Sequence, residues 1–108
     1  MTTSKLRARE LGISLPGRPG PLNAITDIAG ITVGTTEVLS SRDPSLATRG
    51  MPVQTGVTAI LPRGHDPVPR PVWAGQFSLN GNGEMTGAHW VRDGGWFCGP
   101  VMLTNSHA

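Results

Sequence analysis

The stretch TGVTAIL, residues 55–61, decides the fold class, because it is a short apolar and β-branched run that Pro62, Arg63 and Gly64 close at once. A run this short predicts a buried β-strand, since a helix usually needs about ten residues or more. Three other segments have the same character and predict strands. They are residues 28–34 with a continuation through 35–39, residues 72–79 and residues 100–104.

The best helix candidate spans residues 84–93. Asn82 or Gly83 is suited to cap it, Glu84 would lie in its first turn, and Gly94-Gly95 would end it. The strands predicted on either side make a strand–helix–strand arrangement that is compatible with a βαβ unit. The sequence therefore predicts a fold of mixed α and β class, and its few short elements make a thin core.

Composition indicates one loop-rich folded unit. The 108 residues are 37% apolar and include fifteen glycines and ten prolines, which lie between the apolar runs without a regular period. Residues 1–22 are expected to form an N-terminal arm, with helical turns over 5–11 and a proline-glycine connector over 16–21. Residues 23–108 are expected to form the folded domain, and its thin core suggests that the chain is part of a longer protein.

Charge and cysteine usage disfavour several classes of function. The formal charge is only +2, tyrosine is absent, and the basic residues are not interleaved with aromatic ones, so we expect no nucleic-acid partner. The single cysteine, Cys98, rules out a disulfide between two cysteines of this chain, and its aromatic neighbours predict a buried, inert thiol. The first fifteen residues carry charges throughout and no long apolar run follows, so we expect a cytoplasmic protein that does not insert into membranes.

The segment NGNGEMTG, residues 80–87, is the candidate site. It is not a dinucleotide-binding fingerprint, because that pattern needs its third glycine where Thr86 stands. Two interpretations remain: a glycine turn whose backbone approaches a ligand closely, or a purely structural turn. The candidate residues for a substrate cleft are Asn80, Gly81, Asn82, Gly83 and Glu84.

Glu84 is the acid within that segment. It could hold the ammonium group of a substrate or cap the predicted helix, and we favour the cap.

The sequence offers no complete catalytic or metal-binding set. His65, His89 and His107 lack the spacing of a zinc-binding helix, and no serine lies in a G-x-S-x-G pattern. His89 next to Trp90 is more typical of a packed histidine than of a base. We therefore expect no metal site, and a complete catalytic set cannot be assembled from this chain.

Several segments, taken in order, resemble the DmpA-type family of L-aminopeptidase/D-Ala-esterases. Residues 7–12 and 16–20 look like the family's N-terminal arm, and residues 23–34 look like its first strand and turn. Residues 55–62 are similar to its next strand. The block NGNGEMTG at 80–87, followed by His89-Trp90, is the most specific match, and residues 99–105 follow at the expected distance.

The resemblance implies a partial αββα sandwich of the Ntn-hydrolase type, of α+β class, and a precursor that cleaves itself ahead of a serine. That serine would lie beyond position 108, and its α-amino group or a neighbouring side chain would act as base. Family members remove N-terminal residues from peptides, amides or esters without a cofactor. The resemblance further implies partners: a substrate with a free amine, the remainder of the same polypeptide, and further copies in a homo-oligomer.

Two segments depart from the family pattern. Residues 92–98, RDGGWFC, stand where a more acidic and leucine-rich link is usual, and residues 106–108 stand where the family continues into a glycine-containing turn.

The alternative function is a small non-catalytic binding or structural module that uses residues 80–87.

Overall fold

The main sheet is antiparallel and has three strands. The computed structural model describes residues 5–47 and 50–105. Strand β1 covers Thr32–Leu39 and β2 covers Gln54–Leu61; β3 and β4 are the two-residue strands Val72–Trp73 and Trp96–Phe97, and β5 covers Val101–Thr104. The order in the main sheet is β1-β2-β5, which makes β2 the central strand and confirms the prediction for residues 55–61.

Strand β2 pairs with β1 over its whole length and with β5 over residues 57–60. β1 and β2 pair from Thr32 opposite Leu61 to Leu39 opposite Gln54. β5 lies along the other side of β2, with Val101 opposite Ile60 and Thr104 opposite Val57. At Gly56 the two backbones approach so closely that an added β-carbon would lie 2.6 Å from the carbonyl oxygen of Thr36.

The first predicted strand begins later than residue 28. Gly30 has a φ of 89°, a left-handed conformation that a strand does not contain, and the extended ladder starts only at Thr32. Upstream of it lies a 3-10 turn over Ile25–Asp27. The Asp27 carboxylate accepts hydrogen bonds from the backbone N–H groups of Leu22 and Ala24, at 2.9 and 3.1 Å, and so orders this turn.

The predicted strand over residues 72–79 is wrong for most of its length. β3 ends at Trp73, because its antiparallel partner β4 has only two residues and the N–H of Ala74 makes the last cross-link, to Gly95 O at 2.9 Å. Beyond that point Phe77 and Leu79 are 85% and 88% exposed.

The helix predicted over 84–93 also begins later. Helix α1 covers Ala88–Gly94, and Gly87 is its N-cap, in a left-handed conformation with φ 84° and ψ 3°. Gly95 takes the left-handed C-cap and donates its N–H to Val91 O, so the predicted stop at the glycine pair is correct. The rings of Trp90 and Trp96 make an edge-to-face contact, with centroids 4.9 Å apart. This contact packs α1 against β4.

The βαβ interpretation is wrong. The strands on either side of α1 pair with each other in antiparallel, and β5 belongs to the other sheet. Helix and antiparallel strands together give the α+β class that the sequence predicts.

The arm is held by its own hydrogen bonds. Arg7 donates to the carbonyl oxygens of Leu22 and Asn23, at 2.5 and 2.6 Å, and closes the arm into a loop. The N–H of Leu11 bonds to Arg7 O at 3.1 Å and Gly12 has a φ of 79°, as the predicted helical turn with its glycine stop requires.

Residues 5–47 and 50–105 contain no buried apolar side chain. The buried residue among them is Ser40, at 9% exposure. The sheet faces, helix α1 and the arm all present apolar side chains to the surroundings. In the same residues, no helix has the length and apolar character needed to cross a bilayer.

Candidate functional site

The five predicted cleft residues lie in the loop between β3 and α1, and all are exposed. Two hydrogen bonds from backbone N–H groups to side-chain oxygens shape the loop: Gly81 N–H donates to Ser78 Oγ at 3.2 Å, and Asn82 N–H donates to Asn80 Oδ1 at 3.0 Å. Gly81 has a φ of 69°, which favours glycine at that position. A β-carbon on Gly83 would meet no atom within 4 Å.

Glu84 reaches a groove beside β5. A cavity of about 440 Å³ is lined by Glu84 and otherwise by mainly apolar residues; these are Met85, Thr86, Phe97 and residues 100–104. Asn80, Gly81, Asn82 and Gly83 are not part of this lining. The structure therefore separates the predicted set into one acid at the groove and four residues that form the turn leading to it.

The favoured role of Glu84 as a helix cap is wrong. α1 begins at Ala88 with Gly87 as its N-cap, and no acidic residue lies in its first turn. Glu84 precedes that cap by three positions, so its carboxylate is outside the first turn where the helix dipole acts. The prediction failed because the sequence pattern treats Gly87 as a glycine inside the helix. In the structure its positive φ makes Gly87 the N-cap, so the helix begins after it.

A second cavity escaped the sequence analysis. It measures about 370 Å³ and lies where β2 and β3 meet the start of β5. Arg63, Asp66 and Arg70 supply its charged groups, and Pro62, Pro67, Pro69 and Pro100 are among its apolar ones. The sequence signal was the pair Asp66 and Arg70, four residues apart within a proline-rich turn.

Asp66 is the anchor of this second cavity. Its carboxylate accepts hydrogen bonds from Arg70 and from the N–H of Val68, the latter at 3.0 Å. The hydrogen bond from Arg70, then that from Val68, and then the nearby charges of Arg70 and Arg63 hold the pKa of the Asp66 carboxyl below its usual value. The same contact raises the pKa of Arg70. Both groups are charged at neutral pH.

The other candidate residues are dispersed. His65 and His89 are exposed, and His107 lies outside the described residues. Cys98 is exposed, which contradicts the predicted burial: β4 ends at Phe97, and the chain turns away at Gly99 with a φ of 102°. Among the residues described, no group of three or more His, Cys, Asp or Glu side chains could hold a metal ion.

The fold and the groove together define a class of protein: an α+β domain with antiparallel sheets, in which a mainly apolar groove beside the edge strand β5 contains one carboxylate, that of Glu84. The sequence pattern of Peptidase family S58 matches residues 23–108, and the chain belongs to that family.

Two curated relatives are similar over almost the whole chain. A beta-peptidyl aminopeptidase, BapA, of Sphingosinicella microcystinivorans is 48% identical over 102 residues, which are 94% of this chain and 25% of the relative. A protein of the same name from Sphingosinicella xenopeptidilytica is 47% identical over 100 residues, which are 93% of this chain and 24% of the relative. The chain thus spans about a quarter of the length of these relatives.

A solved structure confirms the fold. The L-aminopeptidase D-Ala-esterase/amidase of Ochrobactrum anthropi, described as a prototype of the serine aminopeptidases and a new variant of the Ntn-hydrolase fold, superposes with a TM-score of 0.77. It is 48% identical and covers 95% of this chain, which corresponds to 28% of that protein. The resemblance to the DmpA-type family and the relation to the Ntn-hydrolase fold are therefore confirmed.

Proposed function

We propose that this chain forms part of an aminopeptidase, its N-terminal part as the DmpA resemblance indicates, which releases N-terminal residues from short peptides, amides or esters. The observation that carries the proposal is the match of nearly the whole chain, at 47–48% identity, to proteins that are all aminopeptidases. The serine that attacks the carbonyl carbon would be supplied by polypeptide outside these 108 residues, after self-cleavage. The attack would break the C–N or C–O bond and release the amine or alcohol part of the substrate, and water would then hydrolyse the acyl-enzyme to free the N-terminal residue and the serine.

The role of this chain in that reaction is to bind the substrate amine. Glu84 is exposed, is not engaged as a helix cap, and forms no side-chain hydrogen bond within the described residues. Its carboxylate lines a groove whose other walls include Met85, Phe97 and Met102. A carboxylate in the lining of a mainly apolar groove suits a substrate that has an ammonium group next to a small apolar side chain.

The loop that leads to Glu84 shapes the cleft through its backbone. Gly81 makes the left-handed turn, and the side-chain oxygens of Ser78 and Asn80 accept hydrogen bonds from the backbone N–H groups of Gly81 and Asn82. We place Asn80, Gly81, Asn82 and Gly83 beside the cleft in the assembled enzyme, and we assign no attacking group among them. The enzyme would act in the cytoplasm as a homo-oligomer without a metal or organic cofactor.

The test compares Glu84→Gln with the wild type in the full-length enzyme. The substrates are the p-nitroanilide of alanine and the matching propionyl anilide, which lacks the amine. We expect KM for the alanine substrate to rise about tenfold, which corresponds to about 1.4 kcal/mol of lost binding. The value of kcat should change little, because the contact is made in both ground and transition states.

Glu37→Gln is the matched control, since Glu37 is exposed on β1, is paired with Arg42 at 3.1 Å and lies outside the groove. It should leave both constants unchanged. An unaltered KM in Glu84→Gln would contradict the assignment of Glu84 as the group that binds the substrate amine. A wild-type enzyme that does not hydrolyse the alanine p-nitroanilide would overturn the proposed function itself. Gel filtration of the full-length enzyme tests the oligomer, and a monomer would contradict that part of the proposal.

A further inference from the structure

The cavity at Arg63, Asp66 and Arg70 carries a net positive charge. Asp66 and Arg70 form a hydrogen-bonded pair whose charges offset each other. Arg63 has no carboxylate of its own among the described ion pairs, and the described hydrogen bonds use one of its N–H groups, to Pro71 O at 3.3 Å. A guanidinium has five such donors in a planar fork. The cavity therefore offers a cation with donor capacity to spare.

The cavity is also shaped to receive a small group. Its volume of about 370 Å³ falls in the range of about 300–1,000 Å³ that is usual for ligand sites. Four prolines and Leu61, Val68 and Val72 give it apolar walls beside the exposed guanidinium groups. A planar guanidinium in such surroundings fits a carboxylate, which it can bind through two parallel hydrogen bonds.

This cavity adjoins the groove that contains Glu84. Pro100 lines both, at the point where β5 begins next to the end of β2. Glu84 therefore supplies a negative charge to one of the two cavities that Pro100 lines, and the net positive charge of Arg63, Asp66 and Arg70 lies in the other. A ligand with an ammonium at one end and a carboxylate at the other matches this order of charges.

We propose that the cavity around Arg63 binds the C-terminal carboxylate of a short peptide substrate. The inference rests on the proposed aminopeptidase function and deepens it, because it makes the preferred substrate a free short peptide rather than an amide or an internal segment of a longer chain. Asp66 pairs with Arg70, which leaves Arg63 as the group that contacts the carboxylate, and its negative charge weakens the attraction of the cavity for an anion.

The experiment uses the full-length enzyme and alanine peptides of two to five residues, each prepared with a free C-terminal carboxylate and as the C-terminal amide. For one length in the series we expect kcat/KM for the free acid to exceed that for the amide about tenfold, mainly through KM. Each added residue extends the peptide by about 3.3–3.6 Å, so the preferred length measures the span between the two charges.

Two variants with opposite expected effects test the assignment. Arg63→Gln should remove the preference for the acid while hydrolysis of the amides continues. Asp66→Asn should increase the preference, because it removes the one negative charge from the cavity. Arg92→Gln, an exposed change on α1 outside both cavities, should leave the preference as in the wild type.

The outcomes separate this inference from the proposed function. Equal constants for acid and amide at every length, or an unchanged preference in both Arg63→Gln and Asp66→Asn, would overturn the carboxylate site and leave the aminopeptidase intact. An Arg63→Gln protein that does not fold leaves the decision to Asp66→Asn, where a preference that fails to rise overturns the site. Absence of hydrolysis of every peptide by the wild type would overturn both proposals.

Discussion

Ser40 shows how much one hydroxyl can contribute in a chain with little burial. It is the buried residue among those described, and it lies just beyond the end of β1. Its Oγ accepts the N–H of Val53 at 2.8 Å, while its own N–H donates to Val53 O at 2.9 Å. These two bonds extend the β1–β2 ladder past its last pair, where the connection between the strands begins.

Replacing Ser40 with alanine should destabilise the protein. The change leaves the Val53 N–H without its acceptor in a partly buried place, and such a loss costs about 1–3 kcal/mol. Chemical denaturation of the full-length enzyme measures it as a lower midpoint with an unchanged slope. Ser45→Ala is the matched control: its hydroxyl bonds Asp43 in an exposed 3-10 turn, so the midpoint should move by less than a third as much. Equal shifts of the midpoint in the two variants would show that the Ser40 hydroxyl contributes no more to stability than the exposed Ser45 hydroxyl.

Helix α1 depends on two glycines more than on side-chain caps. Gly87 and Gly95 both have left-handed conformations, and because the N-cap is a glycine, it provides no side-chain hydrogen bond to the first turn. An isolated helix of this length is not stable by itself, so its backbone start and stop and the Trp90–Trp96 contact together define it.

Alanine should be destabilising at Gly87 but not at Gly34. A β-carbon meets no atom within 4 Å at either place, so only backbone conformation differs. Gly87→Ala forces an L-residue to a φ of 84° and should lower the free energy of unfolding by about 1–2 kcal/mol. Gly34→Ala lies within β1 and should raise it by about 0.5 kcal/mol or leave it unchanged. Thermal unfolding of the two variants checks the order, and a destabilised Gly34→Ala together with a neutral Gly87→Ala would contradict it.

The elements that the sequence predicts best are those whose signal is local. Residues 55–61 carry a continuous β-branched run, and β2 begins one residue before it. The glycine pair at 94–95 marks the end of α1 correctly. By contrast, residues 74–79 are as apolar as a strand but lack a partner beyond the two residues of β4, and sequence periodicity does not reveal a missing partner.

The candidate site was predictable in part for the same reason. The glycine turn and its acid stand out in NGNGEMTG, but whether Glu84 caps a helix depends on the φ of Gly87. The groove beside β5 and the Arg63 cavity arise from strand pairing between segments about forty residues apart, as Leu61 and Pro100 are. Their positions are set by register, which the local sequence does not encode.

Considered as a whole, the described chain has sheets without a core. Apolar side chains cover both the arm and the sheet strands, yet none of those described is buried. β1 and β5 each pair on one side only within the described strands, which leaves backbone donors and acceptors along two edges. Surfaces of this kind usually pack against further polypeptide.

The isolated 108-residue chain should therefore bind a hydrophobic dye, aggregate at moderate concentration and hydrolyse no aminoacyl p-nitroanilide. The proposed function places the attacking serine outside these 108 residues, and the apolar surfaces of the described residues remain uncovered. Dye fluorescence, light scattering and an anilide assay on the alanine substrates make the three measurements, with the full-length enzyme as control. A monodisperse monomer with a cooperative thermal transition, or turnover above a mock preparation, would contradict this expectation.

The contact between Trp90 and Trp96 has a consequence for spectroscopy. The chain has three tryptophans and no tyrosine, so its near-ultraviolet absorption comes mainly from indole rings. Two of those rings lie almost perpendicular with centroids 4.9 Å apart, while Trp73 is 88% exposed. Coupled transitions of such a pair give a circular dichroism couplet that an isolated indole lacks. The couplet therefore reports whether α1 is docked on β4, without any attached label.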